Sequence, residues 1–111
     1  MDPAAVPTPL PDLVLWRGDG CHLCDEARAL VSMLLAERSA AGLRSPTLVE
    51  RRIADDPAVE RALLEQIPVL EVDGRRLTLA IRSGQVRAFL DDVLDGRGVA
   101  GAAQQVEGRG S

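Results

Sequence analysis

The segment from Leu13 to Leu35 joins an apolar run, a glycine-containing turn and a helical pattern. Leu13 to Trp16 is apolar throughout, and Arg17-Gly18-Asp19-Gly20 follows as a turn. Beyond the turn, apolar side chains recur at the three- and four-residue spacing of a helix that buries one face: Ala27, Leu30, Val31, Leu34 and Leu35. We therefore predict a buried strand that passes into an amphipathic helix, with Cys21-His22-Leu23-Cys24 at the junction.

This junction gives the two cysteines different expected roles. The first turn of a helix offers unpaired backbone N–H groups and the positive end of the dipole, and both favour the thiolate form of a cysteine. Cys24 extends the apolar stripe of the helix, so we expect it to be partly buried. Cys21 lies at the mouth of the glycine turn and is expected to be more accessible. We assign Cys21 as the attacking nucleophile and Cys24 as the thiol that resolves a mixed disulfide.

Length and composition limit the classes of protein to consider. The chain has 111 residues, enough for one domain with one core. Its net charge of −4 argues against nucleic acid as a partner. No stretch approaches the roughly 18 apolar residues of a membrane span, and the proline-rich start does not resemble a signal peptide. We therefore expect a cytoplasmic monomer, in which a pair of cysteines is catalytic, redox-sensing or metal-binding.

The rest of the chain predicts alternating strands and helices. Strands are expected at residues 12–16, 47–53, 69–72 and 76–81, and helices at 21–41 and 57–65, with a third helix capped by Ser83 and ended by Gly96. The first two strands are joined through a helix and should be parallel, whereas Asp73-Gly74 predicts a hairpin between the last two. We therefore predict an α/β domain at 12–95 with a four-stranded mixed sheet flanked by helices. Residues 1–11 are expected to be a disordered leader and 96–111 a disordered tail.

Two of these elements carry explicit predictions about how their side chains are arranged. The fourth strand alternates, which places Leu77, Leu79 and Ile81 together on one face and Arg76, Thr78 and Ala80 on the other. The second helix should begin with Asp56 as its cap and Pro57 at its first position. That helix is expected to present Val59, Ala62 and Leu63 to the core.

Two motifs in this element order resemble a known family. Cys21 to Ala27 reads Cys-His-Leu-Cys-Asp-Glu-Ala, and Ile67 to Gly74 reads Ile-Pro-Val-x-x-x-Asp-Gly. Both are similar to segments of the glutaredoxin-like family of small bacterial proteins, which has the thioredoxin fold with the order β-α-β-α-β-β-α. The resemblance covers about Leu13 to Leu94 and leaves both ends of the chain outside.

The resemblance implies a site and a set of partners. Pro68 should follow a cis peptide bond and lie against the Cys21–Cys24 pair, and the backbone of Ile67 should pair with an extended substrate or with glutathione. Arg17 and Arg82 are the candidates to meet a glutathione carboxylate. The implied partners are protein or small-molecule disulfides, with glutathione or a thioredoxin system as reductant and no resident cofactor.

His22, the only histidine, has two readings that the sequence leaves open. As a cation beside Cys21 it would stabilise the thiolate, whereas as an exposed residue it would have a small effect. Nearby carboxylates, those of Asp19, Asp25 and Glu26, would instead destabilise a thiolate on Cys21. The sequence therefore does not give the sign of their combined effect on Cys21.

The leading interpretation is a thiol–disulfide oxidoreductase, and two alternatives remain. One is a non-catalytic binding module or a carrier of a metal or an iron–sulfur cluster. A closed zinc site needs four ligands, and two cysteines and one histidine supply that number only if two chains share the site. The expectation is therefore no bound metal. The other alternative is a redox sensor whose output passes through the C-terminal tail.

Overall fold

The structure, a computed structural model, describes residues 10–96. The strands are β1 (Leu13–Arg17), β2 (Leu48–Arg52), β3 (Val69–Val72) and β4 (Arg75–Leu77), and the helices are α1 (His22–Ala40), α2 (Pro57–Leu63) and α3 (Ser83–Leu90). A 3₁₀ turn at Ile53–Asp55 precedes α2, and a π-helical turn at Asp91–Asp95 extends α3. Most of the predicted leader and tail, residues 1–9 and 97–111, lies outside the described residues. Within residues 10–96, no helix combines the length and the hydropathy needed to cross a membrane.

The four strands form one mixed sheet in the order β2-β1-β3-β4. β1 and β2 run parallel, with Leu13 opposite Leu48, and the other two pairs are antiparallel. β1 is therefore central and β2 is an edge strand, as their residue patterns predict. The α/β class and the four-stranded mixed sheet are confirmed.

Two apolar clusters cover the two faces of the sheet. The larger one packs α1 and α3 on one face and includes Leu13, Leu15, Ala27, Val31, Leu34, Leu70, Val86 and Leu90. The smaller one lies under α2 and contains Ile53, Leu63 and Val69, with the half-buried Trp16, Val59 and Ile67 beside them. Alternate residues of β1 and β3 enter different clusters, because successive side chains in a strand point to opposite faces.

α1 begins and ends within one residue of its predicted bounds. Cys21 has an extended backbone and is the N-cap, so the helix itself starts at His22. At the other end, Gly42 adopts a positive φ of 75°, and its N–H donates to the Ser39 carbonyl. Glycine takes this left-handed conformation without the steric cost that a side chain would add, which is why the helix stops there.

The extent and alternation predicted for the fourth strand are wrong beyond Leu77. β4 ends at Leu77, and beyond it Leu79 and Ile81 are 46% and 44% exposed whereas Ala80 is fully buried. The alternation is broken at Leu79, whose φ of 50° turns the chain. The N–H groups of Leu79 and Ala80 donate to the carbonyls of Gln66 and Pro68, so hydrogen bonds to this loop replace the expected continuation of the strand.

Three smaller expectations concern α2 and α3. Asp56 caps α2 as predicted, since its carboxylate accepts from the N–H groups of Ala58 and Val59. Ala62 is exposed, because this short helix packs through Val59 and Leu63, one turn apart. Ser83 is not the cap of α3: the extended residue before the helix is Arg82, and Ser83 is already helical.

The end of α1 is tied to the turn that follows α3 by a buried arginine. Arg38 is 6% exposed, and its guanidinium bonds Asp91 at 2.9 Å, Asp95 at 2.7 Å and the Arg44 carbonyl at 2.7 Å. Removing one member of a buried ion pair leaves charges without compensation, which is costly.

Replacing this arginine should destabilise the fold far more than replacing an exposed one. We expect Arg38→Ala to lower the free energy of unfolding by about 2–4 kcal/mol, measured by urea denaturation. The matched control is Arg87→Ala, which breaks an exposed pair with Glu37 and should cost less than about 1 kcal/mol. Equal losses in the two variants would contradict this account.

Candidate functional site

The two cysteines meet at the N-terminus of α1 and form a disulfide, with their Cα atoms 5.1 Å apart. The Cys24 N–H donates to Cys21 Sγ at 3.1 Å, so the sulfur of Cys21 occupies the capping position of the helix. Cys24 is fully buried, whereas Cys21 is half-buried. Of the two cysteines, only Cys21 therefore presents surface to an incoming thiol or thiolate.

The loop containing cis-Pro68 lies beside the β1–α1 loop that leads into this pair. The Ile67–Pro68 peptide bond is cis, and the antiparallel register that places Val69 opposite Trp16 brings Ile67 next to the β1–α1 loop. A Cβ atom built on Gly18 would lie 2.9 Å from Ile67 Cδ1 and 3.9 Å from the Cβ of Cys21. Gly18 thus separates the side chain of Ile67 from the cysteine, and its lack of a side chain allows this close approach.

The backbone of the proline loop, Gln66 to Pro68, forms hydrogen bonds on one side only. The carbonyls of Gln66 and Pro68 accept from Leu79 and Ala80. Among residues 10–96, neither the N–H nor the C=O of Ile67 takes part in a hydrogen bond. Ile67 can therefore offer a donor and an acceptor to an extended chain laid beside it.

Arg17, a predicted substrate-binding residue, is engaged within the protein. Its guanidinium bonds Asp25 of α1 at 2.7 Å and Glu50 of β2 at 3.1 Å, and it approaches the Cys21 carbonyl at 3.5 Å. The hydrogen bond with Asp25 raises the pKa of Arg17 against the opposing effect of burial, and Glu50 adds to the rise.

A second ion pair, between Arg52 and Asp19, holds the tip of the loop between β1 and α1. Arg52 of β2 bonds both carboxylate oxygens of Asp19, at 2.6 and 2.8 Å, and lies 3.3 Å from Asp55. The hydrogen bond from Arg52 lowers the pKa of Asp19, and that same bond raises the pKa of Arg52. Both side chains are exposed, so salt weakens this pair.

His22 and Arg82 both lie in solvent. The imidazole of His22 is 85% exposed and contacts Glu26, one turn along α1, at 2.9 Å. Arg82 precedes α3, and its guanidinium has no hydrogen bond or ion pair with any other residue that the structure describes. It lines a shallow depression with Leu79, Ile81 and Gln85.

Two residues with no predicted role at this site, Gly18 and Glu50, both contact it. No pattern in the neighbouring sequence predicts either contact, because the partners, Ile67 and Arg17, are brought close only by the sheet register. No group of three or more His, Cys, Asp or Glu side chains within the described part of the chain is arranged to hold a metal ion.

A family model described as "Glutaredoxin-like domain (DUF836)" matches residues 12–91. The chain belongs to this glutaredoxin-like family. The matched residues include the Cys21–Cys24 pair and the Ile67–Pro68 loop, so the resemblance seen in two short motifs extends over the whole described domain. Among curated proteins, none matches the chain.

Solved structures support the fold. The X-ray structure of the structural genomics target protein XcR50 from X. campestris is 32% identical, covers 71% of this chain and 95% of its own, and has a TM-score of 0.57. Its solution structure, also 32% identical, gives 0.55 with 71% and 91% covered. Protein Ne2328 from Nitrosomonas europaea is 24% identical with a TM-score of 0.54 over 81% of this chain and 92% of its own, which is a likeness of fold alone.

The contact at Gly18 gives a direct test of how the proline loop packs on this glutaredoxin-like site. Gly18→Ala should crowd Ile67 and cost about 1 kcal/mol in the free energy of unfolding, measured by urea denaturation. Ile67→Val removes the atom that a Cβ would meet. The double variant Gly18→Ala/Ile67→Val should therefore lose less than the sum of the single losses, by about 0.5–1 kcal/mol.

The control for that cycle is Gly84→Ala in α3, where an added Cβ has no heavy atom within 4 Å. It should cause no loss, since alanine is favoured over glycine in a helix. Strict additivity of the Gly18 and Ile67 substitutions would mean that the two residues do not meet.

Proposed function

We propose that the protein is a dithiol–disulfide oxidoreductase acting through Cys21 and Cys24. The observation that carries this proposal is the asymmetry of the pair: one cysteine partly exposed at the helix N-terminus, the other fully buried one turn further on. That arrangement suits a nucleophile and a resolving thiol, because only the first needs to reach a substrate.

The reaction transfers two electrons from the protein to the substrate. In the reduced protein, the Cys21 thiolate attacks one sulfur of a substrate disulfide, forms a mixed disulfide and releases the other substrate sulfur as a thiolate that takes up a proton. Cys24 then loses its proton and attacks Cys21 Sγ. This step breaks the mixed disulfide, releases the second substrate thiol and leaves the Cys21–Cys24 disulfide.

Three groups of the fold support these steps. The Cys24 N–H, which donates to Cys21 Sγ, is placed to stabilise negative charge on that sulfur, and the dipole of α1 acts in the same direction. The unpaired backbone groups of Ile67 would hold the substrate as a short added strand. cis-Pro68 would fix the direction in which that strand lies against Cys21.

Regeneration requires an external thiol. A glutathione thiolate or a dithiol of a thioredoxin system would attack Cys21 Sγ, release Cys24 as the leaving thiolate and restore the dithiol in a second exchange. For glutathione, Arg82 is the better anchor of a carboxylate, since the guanidinium of Arg17 already bonds Asp25 and Glu50. We place this activity in the cytoplasm of the cell and assign it to a monomer that needs no metal.

The two cysteine variants test the function directly. Mild oxidation should lower the mass of the protein by about two units and protect both thiols from alkylation. Cys21→Ser should abolish the reduction of disulfides, and Cys24→Ser should accumulate a mixed disulfide with the substrate that mass spectrometry detects. Two freely alkylated thiols after oxidation, or full activity of Cys21→Ser, would instead favour a binding or carrier module.

The reductant is identified by comparing the rates at which glutathione and a thioredoxin system reduce the Cys21–Cys24 disulfide. The oxidised protein is mixed with reduced glutathione or with a reduced thioredoxin system, and the loss of the disulfide is followed in each. If glutathione is the reductant, Arg82→Gln should raise its KM by up to about fivefold, the loss expected for one exposed ion pair. Arg61→Gln, on the exposed side of α2, is the control and should change nothing.

A further inference from the structure

Arg17 contacts three elements around the reactive cysteine: the β1–α1 loop at the Gly18 carbonyl, α1 at Asp25, and β2 at Glu50. We propose that Arg17 is a positioning residue that neutralises Asp25 and so allows Cys21 to ionise. This inference rests on the proposed thiol–disulfide exchange, and it gives Arg17 a role distinct from binding substrate.

The position of Asp25 creates the need for such a cation. Asp25 lies four residues after Cys21 in the first turn of α1, and its N–H donates to the Cys21 carbonyl at 3.1 Å. Residues four apart are neighbours on a helix, so this carboxylate lies one turn from the reactive sulfur. A carboxylate there stabilises the helix through its dipole but repels a thiolate on Cys21.

Arg17 has the geometry to cancel this repulsion. One guanidinium nitrogen, Nη2, lies 2.7 Å from Asp25 Oδ1 and 3.5 Å from the Cys21 carbonyl oxygen, so it joins the carboxylate to the backbone of the cysteine. The side chain of Arg17 is only 16% exposed, which limits screening by water and salt. The other end nitrogen, Nη1, bonds Glu50 and anchors the group to β2.

The other charges around Cys21 do not replace this cation. On the loop, Asp19 is paired with Arg52 of β2, and on α1, His22 is paired with Glu26. Arg28 lies 3.8 Å from Glu50 but is half exposed. The neighbouring proline loop, Gln66 to Pro68, carries no charge. Removing Arg17 therefore leaves the Asp25 carboxylate without a described partner.

The test is the ionisation of the reduced protein, which does not require a substrate. In Arg17→Gln, the thiolate absorbance at 240 nm should titrate at higher pH than in the unmodified protein. Alkylation of Cys21 at pH 7 should be about three- to tenfold slower, because less thiolate is present. The reduction potential should become more negative, since the reduced form loses stability relative to the disulfide.

Further variants separate the charge from a general structural effect. Arg17→Gln/Asp25→Asn removes both charges and should restore the alkylation rate, and Arg17→Lys should restore most of it. Arg52→Gln, which frees the loop tip at Asp19, is the matched control and should have the smaller effect. Circular dichroism confirms that each variant is folded.

Two outcomes would overturn the proposal. One is an Arg17→Gln protein that is folded and alkylates at the original rate. The other is a double variant with Asp25→Asn that stays as slow as Arg17→Gln. Either result leaves the disulfide exchange itself untouched, because that function is judged separately by Cys21→Ser and Cys24→Ser.

Discussion

The hydrogen bond from the Cys24 N–H to Cys21 Sγ connects the fold of this protein to its chemistry. It exists because Cys21 is the N-cap of α1 and Cys24 lies inside the first turn, where backbone donors have no helical acceptor. The burial of Cys24 in the interior fixes the rotation of the helix, and that rotation in turn fixes which sulfur is accessible. The same α1–sheet packing that stabilises the domain therefore leaves Cys21 as the more exposed of the two cysteines, which suits the nucleophilic role proposed for it.

The turn after β4 has an unfavourable conformation that supports the backbone around Ile67. Leu79 adopts a positive φ, which is unfavourable for a residue with a branched side chain, and two large apolar side chains are left in solvent. This conformation allows the N–H groups of Leu79 and Ala80 to donate to the carbonyls of the residues before and after Ile67. The backbone of Ile67 is thereby held in place on one side and left open on the other, as the proposed binding of an extended substrate would require.

The sequence predicted those parts of the structure that depend on local pattern. The periodicity from Ala27 to Leu35 located α1, and Asp56-Pro57 located the start of α2, since both signals act within one or two turns. The alternation after Arg76 failed because Leu79 and Ala80 bond a loop that is remote in sequence, and this competes with continuation of the strand. The disulfide pair was visible as a motif, whereas the approach of Ile67 to Gly18 depends on a register that no local pattern encodes.

The ion pairs also divide into those that sequence spacing predicts and those that depend on contacts remote in sequence. His22 and Glu26 can be paired from their spacing alone, and their exposure means that this pair contributes little. Arg17 was predicted only as a partner of a glutathione carboxylate, since its contact with Glu50 of β2 depends on the parallel register of β1 and β2. Its side chain is less exposed than that of His22, so water and salt screen its charge less. We therefore propose that the charge beside Cys21 is set by Arg17, which the sheet partly buries, rather than by the motif residue His22.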